Sequence, residues 1–296
     1  MEWWEIKEFM SNKYKFYGHE SFNCRQIWLK KGFDFVKNNG NFNSLNAVVE
    51  LGVGKNMVSS IHYWLMAFGI LKEDKQISPF GEFIFGETGA DPFLENPATT
   101  WLLHYNLINS NYASIYNLFF NELKKEKLDY DLKSLLNTLV QKCNLENYNY
   151  NKATLEKDLA VFLRNYTMNN KKEKNLEDEF SGIFIENNIL DKVGLSGSDN
   201  FHVVINDRQE IPIEIILFAI LDQFIDSDSI SFYNVLTKNN SVGNCFLISE
   251  DGLYKKLLAI QNLYSNVVFK EDSGIKEIQI KNKIDKWEVL REYYAK

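Results

Sequence analysis

The stretch Leu45–Leu71, LNAVVELGVGKNMVSSIHYWLMAFGIL, decides how this chain is read. It divides into a short apolar segment ending at Leu51, the turn Gly52-Val53-Gly54, a second helical segment from Lys55 to Phe68, and an exit through Gly69-Ile70-Leu71. Ser44 is a favoured N-cap for the first helix, and Gly69 stands where helices commonly end in a left-handed residue. In the second segment Val58, Ile61, Leu65 and Phe68 recur at helical spacing and share one face. A short helix, a glycine turn and a longer helix form the pattern of a winged helix-turn-helix, whose second helix commonly enters the major groove of DNA.

Off that apolar face stand Lys55, Asn56, Ser59, Ser60, His62 and Tyr63, the candidate DNA-binding residues. Lys and Ser suit phosphate oxygens, and Asn can pair with adenine through two hydrogen bonds. The glycine turn leaves the helix start open to a phosphate. The competing reading is a winged helix used for protein contacts, with the bulky Tyr63 and Trp64 packed against another domain. Gly54-Lys55 does not make a nucleotide-binding P-loop, because position 49 is Val49 rather than Gly, and Asn56 follows the lysine.

Upstream, Ser21–Val36 reads as an amphipathic helix with Phe22, Ile27, Trp28 and Phe35 as core candidates, followed by the loop Asn38-Asn39-Gly40-Asn41. Downstream, Ser78-Pro79-Phe80-Gly81 breaks a short two-stranded segment, the candidate wing. Asp91-Pro92 marks a boundary. The middle part is expected to be helical near Pro97–Leu107, Tyr112–Glu126, Leu132–Gln141 and Lys152–Tyr166, with Asn169–Glu179 and Gly194–Asn200 as linkers. The last part repeats the order of the first. Helices are expected at Pro212–Phe224, Ser229–Leu236 and Glu250–Tyr264, the last capped by Ser249, and a hairpin at Val267–Lys270 and Ile275–Ile280. The fold class is therefore mainly α with minor β. Two winged helix-turn-helix-like domains, 1–86 and 201–296, flank a helical middle domain, 87–200.

The charge balance bears on the DNA reading. The chain of 296 residues carries 33 Lys/Arg against 40 Asp/Glu, a net −7. Residues 1–86 hold ten Lys/Arg against nine Asp/Glu, 87–200 twelve against seventeen, and 201–296 eleven against fourteen. The first part is the least acidic, as a phosphate-facing domain should be, but none is strongly basic, so DNA affinity must rest on local clusters. In the last part Lys255 and Lys256, beside Tyr254 on the third helix, are the candidate second contact, with Lys276, Lys281 and Lys283 on the hairpin edge; a solvated face competes with this reading.

Other chemistry is sparse. Cys24, Cys143 and Cys245 are far apart in sequence, which suggests neither a zinc site nor a disulfide framework. No run of 18 apolar residues predicts a membrane span, and the acidic, aromatic start MEWWEIKEFM lacks the layout of a secretory signal; a reducing cytoplasm is the expectation. Asp226-Ser227-Asp228-Ser229 lacks the glycine and closing glutamate of a calcium loop and reads as a cap and turn. His19, Glu20, Asp91, Glu95 and His104 are the polar residues that could enter a metal or acid/base cluster, although His104, within WLLHY, reads as a hydrogen-bonded core histidine.

Several segments together resemble one family. They are Gly18-His19-Glu20-Ser21-Phe22 with Arg25; Trp28-Leu29-Lys30-Lys31-Gly32; Leu51–Val58 with Tyr63-Trp64-Leu65; Asp91–Glu95; and Ala98-Thr99 with Trp101–His104. This set resembles the SspB-like family, a domain of unknown function found in bacterial anti-phage defence islands beside sulfur-transfer genes of DNA phosphorothioation. The resemblance implies a DNA-binding component of such a system, with double-stranded DNA, a sulfur-transfer enzyme and an ATPase as partners. In single-strand systems of this kind the SspB-like partner is associated with DNA nicking. A nickase would need an acidic or metal site, with Mg²⁺ or Mn²⁺ as the cation, and His19, Glu20, Asp91 and Glu95 are the first residues to consider. A transcriptional regulator using the same helices without chemistry, and a protein adaptor, stay open beside this reading.

Overall fold

The computed structural model describes residues 14–168, 182–193, 200–225 and 227–296. The aromatic start, the linker Asn169–Glu179, residues 194–199 of the second linker and Asp226 of the Asp-Ser-Asp-Ser turn lie outside the described residues. The described residues are mainly helical, with two three-stranded antiparallel sheets. The chain forms two compact units. The first holds residues up to Leu94 together with Asn106–Val203; the second holds Glu95–Tyr105 and Val204–Lys296.

In the first unit α1 (Gln26–Lys37), α2 (Ala47–Leu51) and α3 (Lys55–Ala67) occur in the expected order. Helix α1 starts later than expected, because Glu20 and Ser21 take left-handed backbone conformations (φ 49° and 65°) and Phe22–Arg25 runs on without helix. Its buried stripe is Trp28, Leu29, Gly32, Phe33 and Phe35. Ile27 falls outside that stripe and is 67% exposed, against the expectation that it would be core. Ser44 also acts otherwise than expected. Its hydroxyl accepts from the Asn46 amide in the turn before α2, and Asn46 is the N-cap.

Two glycines set the geometry of this unit. Gly52 has φ 59° and ψ 36°, a conformation that L-residues other than glycine pay to adopt, and it ends α2 so that α3 can start three residues later. Gly32 lets α1 and α3 approach, since a Cβ there would lie 2.6 Å from the Ile61 side chain. Val58, Ile61, Leu65 and Phe68 are all buried, as their spacing predicted, and Gly69 follows at φ 66°. Trp64 is fully buried too, and its indole N–H donates to the Phe22 carbonyl over 3.2 Å. Burial of such a side chain contributes roughly 2–3 kcal/mol.

The candidate wing is smaller than expected. Leu71 and Ile77 form a single antiparallel bridge around the turn Lys72–Gln76. Ser78-Pro79-Phe80-Gly81 begins a helix, α4 (Pro79–Phe85), instead of breaking a strand. The Ser78 hydroxyl accepts from the Gly81 amide, and Pro79 occupies the first helical position, where its missing N–H costs nothing.

Helix α5 (Pro97–Asn109), whose residues up to Tyr105 belong to the second unit, is followed by α6 (Ser114–Leu118), a π-helical turn at Phe119–Leu123, and α7 (Lys124–Glu126). Strand β1 (Asp129–Asp131), α8 (Leu132–Leu145), α9 (Lys152–Tyr166), β2 (Leu190–Lys192) and β3 (Asn200–Val203) complete the first unit. Asp131 caps α8 in a reciprocal box with Ser134. The sheet β1-β3-β2 was not expected from sequence: its strands are too short for a two-residue alternation to stand out, and β3 lies some seventy residues after its partner β1.

The second unit contains α10 (Ile213–Gln223), β4 (Ser229–Ser231), α11 (Phe232–Thr237), α12 (Val242–Phe246), α13 (Glu250–Leu263), β5 (Val267–Asp272), β6 (Ile275–Ile280) and α14 (Lys286–Tyr294). The helix expected at Ser229–Leu236 is divided, because its first residues pair with β6 through Ile230↔Ile278. Ser249 caps α13 through the Gly252 amide, with Glu250 and Asp251 in the first turn, as expected. The hairpin β5–β6 turns at Ser273-Gly274, both at positive φ (51° and 81°), which suits the right-handed twist of its strands. Buried Arg208 donates to the Val204 and Phe246 carbonyls and holds the segment entering α10. Among the described residues no helix is long and apolar enough to cross a membrane.

Candidate nucleic-acid interface

The exposed end of α3 is built from a turn and one helical face. Gly54 is the N-cap, with no side chain folded over the first amides, and no acidic residue stands in the first turn. A Cβ placed on Gly54 would meet no atom within 4 Å, so the space before these amides is open. Lys55, Asn56 and Ser59 are exposed around this start. The unsatisfied N–H groups, the positive end of the helix dipole and the Lys55 ammonium together favour an anion here.

Two of the six candidates on α3 must be corrected. Ser60 is fully buried and Tyr63 is 3% exposed, so neither belongs to a DNA-facing surface. From Tyr63 to Phe68 every residue of the segment is buried, so the exposed arc narrows toward the C-terminus. The Tyr63 ring packs 5.5 Å from His19 and 5.4 Å from Tyr112, and burial pushes its hydroxyl pKa well up. His62 is half-buried and stacks on Phe42 with ring centroids 4.6 Å apart. Burial, with Lys75 and Lys15 nearby, pushes its pKa down, which keeps the ring neutral.

The helix expected to make a second contact is differently equipped. Ser249 closes the start of α13, and Glu250 and Asp251 make it acidic. Lys255 lies 2.5 Å from Asp207, whose other oxygen accepts from the Ser249 hydroxyl. These bonds hold the Asp207 carboxyl below its ordinary pKa. Lys256 donates to the Gln209 and Ile211 carbonyls. Lys276, on the hairpin, reaches Glu250 and lies over the Phe232 and Tyr254 rings. Lys281 and Lys283 are exposed.

The four acid/base candidates are not gathered into a metal site. His19 is 4% exposed; its Nδ1 accepts the Ser21 amide over 3.2 Å, so its Nε2 donates to Asp158 over 2.5 Å. Burial raises the Asp158 pKa while the His19 hydrogen bond opposes the rise. Glu20 is exposed in a left-handed conformation, and Asp91 is buried with its carbonyl accepting from Leu94. Glu95 is exposed and belongs to the second unit. Among the described residues no three His, Cys, Asp or Glu side chains stand together as a metal site, so the described residues do not fit a fully protein-ligated Mg²⁺ or Mn²⁺ centre. His104 is a core residue beside Trp101, and burial and Arg208 push its pKa down to about 3.

Two features had no counterpart in the sequence reading. A groove of about 730 Å³ runs along α1, lined among others by Ile27, Lys30, Phe35 and Phe93. Lys15 and Lys75, sixty residues apart, both act on His62; only the tertiary fold brings them there.

Comparison with known proteins bears out the resemblance carried by the motifs. A magnesium ion-bound crystal structure of SspB superposes with a TM-score of 0.84 at 26% identity, covering 94% of this chain and 87% of that one. A second SspB crystal structure gives 0.83 at the same identity and coverage. No curated protein matches the chain in sequence. The family described as "Protein of unknown function (DUF4007)" matches residues 16–294. The chain belongs to the DUF4007 family.

Proposed function

We propose that this chain is a DNA-binding component of a bacterial DNA phosphorothioation-based anti-phage defence system. The observation that carries the reading is the start of α3, where an uncapped, acid-free helix terminus is flanked by the exposed Lys55, Asn56 and Ser59. In this reading residues 1–86 and 201–296 are winged-helix-like domains around a helical middle domain, 87–200. The first contacts the duplex through α3, with the short turn at Lys72–Gln76 as its wing. Lys55 and the α3 amides hold phosphate, which positions the protein, and Asn56 reads a base edge. The likeness to SspB supports the system to which the activity belongs. The partners are double-stranded DNA and the sulfur-transfer enzyme and ATPase of such a system. The Asp158 pair holds His19 inside the fold, so no role in strand nicking is assigned to it.

Binding of a labelled duplex and nicking of supercoiled plasmid, with Mg²⁺ or Mn²⁺ and over a salt series, test this reading. Salt-sensitive binding that weakens in the Lys55→Ala/Asn56→Ala variant supports it; wild-type protein without salt-sensitive binding overturns it. A protein adaptor is the second reading. It is favoured by the exposed apolar residues Ile27 and Phe93 along the α1 groove and by Leu45 and Val49 near α2.

A further inference from the structure

The polar stripe of α3 runs on past the exposed Ser59 to the half-buried His62. Lys55, Ser59 and His62 stand at positions i, i+4 and i+7, so the stripe follows the helix for about 10 Å. Two lysines put their charge on its far end, at His62. Lys15, in the irregular segment before α1, places its ammonium 3.3 Å above the Tyr112 ring. Lys75 stands at φ 65° in the turn after α3, and its charge acts on both Tyr112 and His62.

Neither ammonium has a carboxylate partner among the described residues. This sets them apart from Lys30, Lys37, Lys142, Lys255, Lys276 and Lys286, each of which is ion-paired. Glu73 and Asp74 share the turn with Lys75, but one Asp74 oxygen accepts from the Gln76 amide. Lys15 is also half-buried, and burial lowers its pKa. A partly desolvated cation without a counter-ion is unfavourable by itself, and an anion relieves that cost. The Tyr112 ring occupies one side of the Lys15 ammonium, which leaves donors for an oxyanion on the other.

We propose that Lys15 and Lys75 form a second phosphate site, which takes a backbone phosphodiester of the same duplex whose first phosphate sits at the start of α3. The inference rests on the DNA-binding reading. The length of the stripe is comparable to the width of the major groove, about 12 Å, so the two sites can hold phosphates at its two edges.

The test is the salt dependence of duplex binding by the full chain, measured by fluorescence anisotropy. Each phosphate contact contributes about 0.9 to the slope of log K against log salt. The Lys15→Ala/Lys75→Ala variant removes that one phosphate contact and is expected to lower the slope by about 0.9 and to weaken binding at 0.1 M salt by roughly eightfold. The Lys15→Arg/Lys75→Arg variant, which keeps both charges, is expected to keep the slope; urea denaturation confirms that both variants fold. An alanine variant with wild-type slope, beside a Lys55→Ala variant that binds more weakly, overturns the second site and leaves the DNA reading standing. A slope lost equally in the alanine and arginine variants also overturns it, since packing rather than charge would then be responsible. Wild-type protein without salt-sensitive binding overturns both.

Discussion

The His19 ring donates through Nε2 to the Asp158 carboxylate over 2.5 Å, and the two residues lie 139 positions apart. Both are buried, and the Ser21 amide occupies the other ring nitrogen. The pair thus ties the segment before α1 to α9. Asp158→Ala leaves a buried donor without its partner and is expected to cost about 3 kcal/mol, where the ranges for neutral and charged partners meet. Urea denaturation checks this; a loss below about 0.5 kcal/mol would mean that water replaces the carboxylate.

His104 predicts an acid-sensitive core. Its folded pKa is about 3 against an ordinary 6.5, so below 6.5 the unfolded chain binds a proton that the folded chain refuses. This contribution to stability is complete above about pH 6.5 and falls by about 1.4 kcal/mol per pH unit as pH drops toward 3. The His104→Gln variant is expected to show a flatter pH dependence between about pH 6 and 4.5. An identical slope in both proteins would show that the ring does not stay neutral.

The two turn glycines should respond oppositely to substitution. Gly52→Ala forces a side chain into φ 59° and is expected to cost about 1 kcal/mol. Gly54→Ser adds a favoured N-cap and is expected to gain a few tenths of a kcal/mol, about 0.3. The new hydroxyl would occupy the α3 amides, so duplex binding should weaken as stability rises. Stronger binding in Gly54→Ser would remove the helix start from the interface.

The two candidate recognition helices also separate. Lys55→Ala should weaken duplex binding several-fold, about one phosphate contact in the salt slope. Lys255→Ala should leave affinity within about twofold, because Asp207 already neutralises that ammonium. Titration of both variants against the same duplex decides between α3 and α13; equal losses would place both helices on DNA.

Local physical chemistry determined much of this protein before any coordinates. The spacing of Val58, Ile61, Leu65 and Phe68 fixed one face of α3, Gly52 marked a turn and Gly69 a helix end, and Ser249 set the start of α13. Each depends on neighbours within a few residues, so each is legible along the chain. The motifs between Gly18 and His104 likewise carried the resemblance that the SspB structures bear out. Only the tertiary structure decided which polar residues remain at the surface. Ser60 and Tyr63 look as available as Ser59, but both are buried, with His19 and Tyr112 packed against the Tyr63 ring. The sheet β1-β3-β2, the His19–Asp158 pair and the Lys15 and Lys75 charges that both act on His62 bring together residues far apart in sequence. No local propensity encodes such contacts, because they exist only once the packing of the helices brings distant segments together.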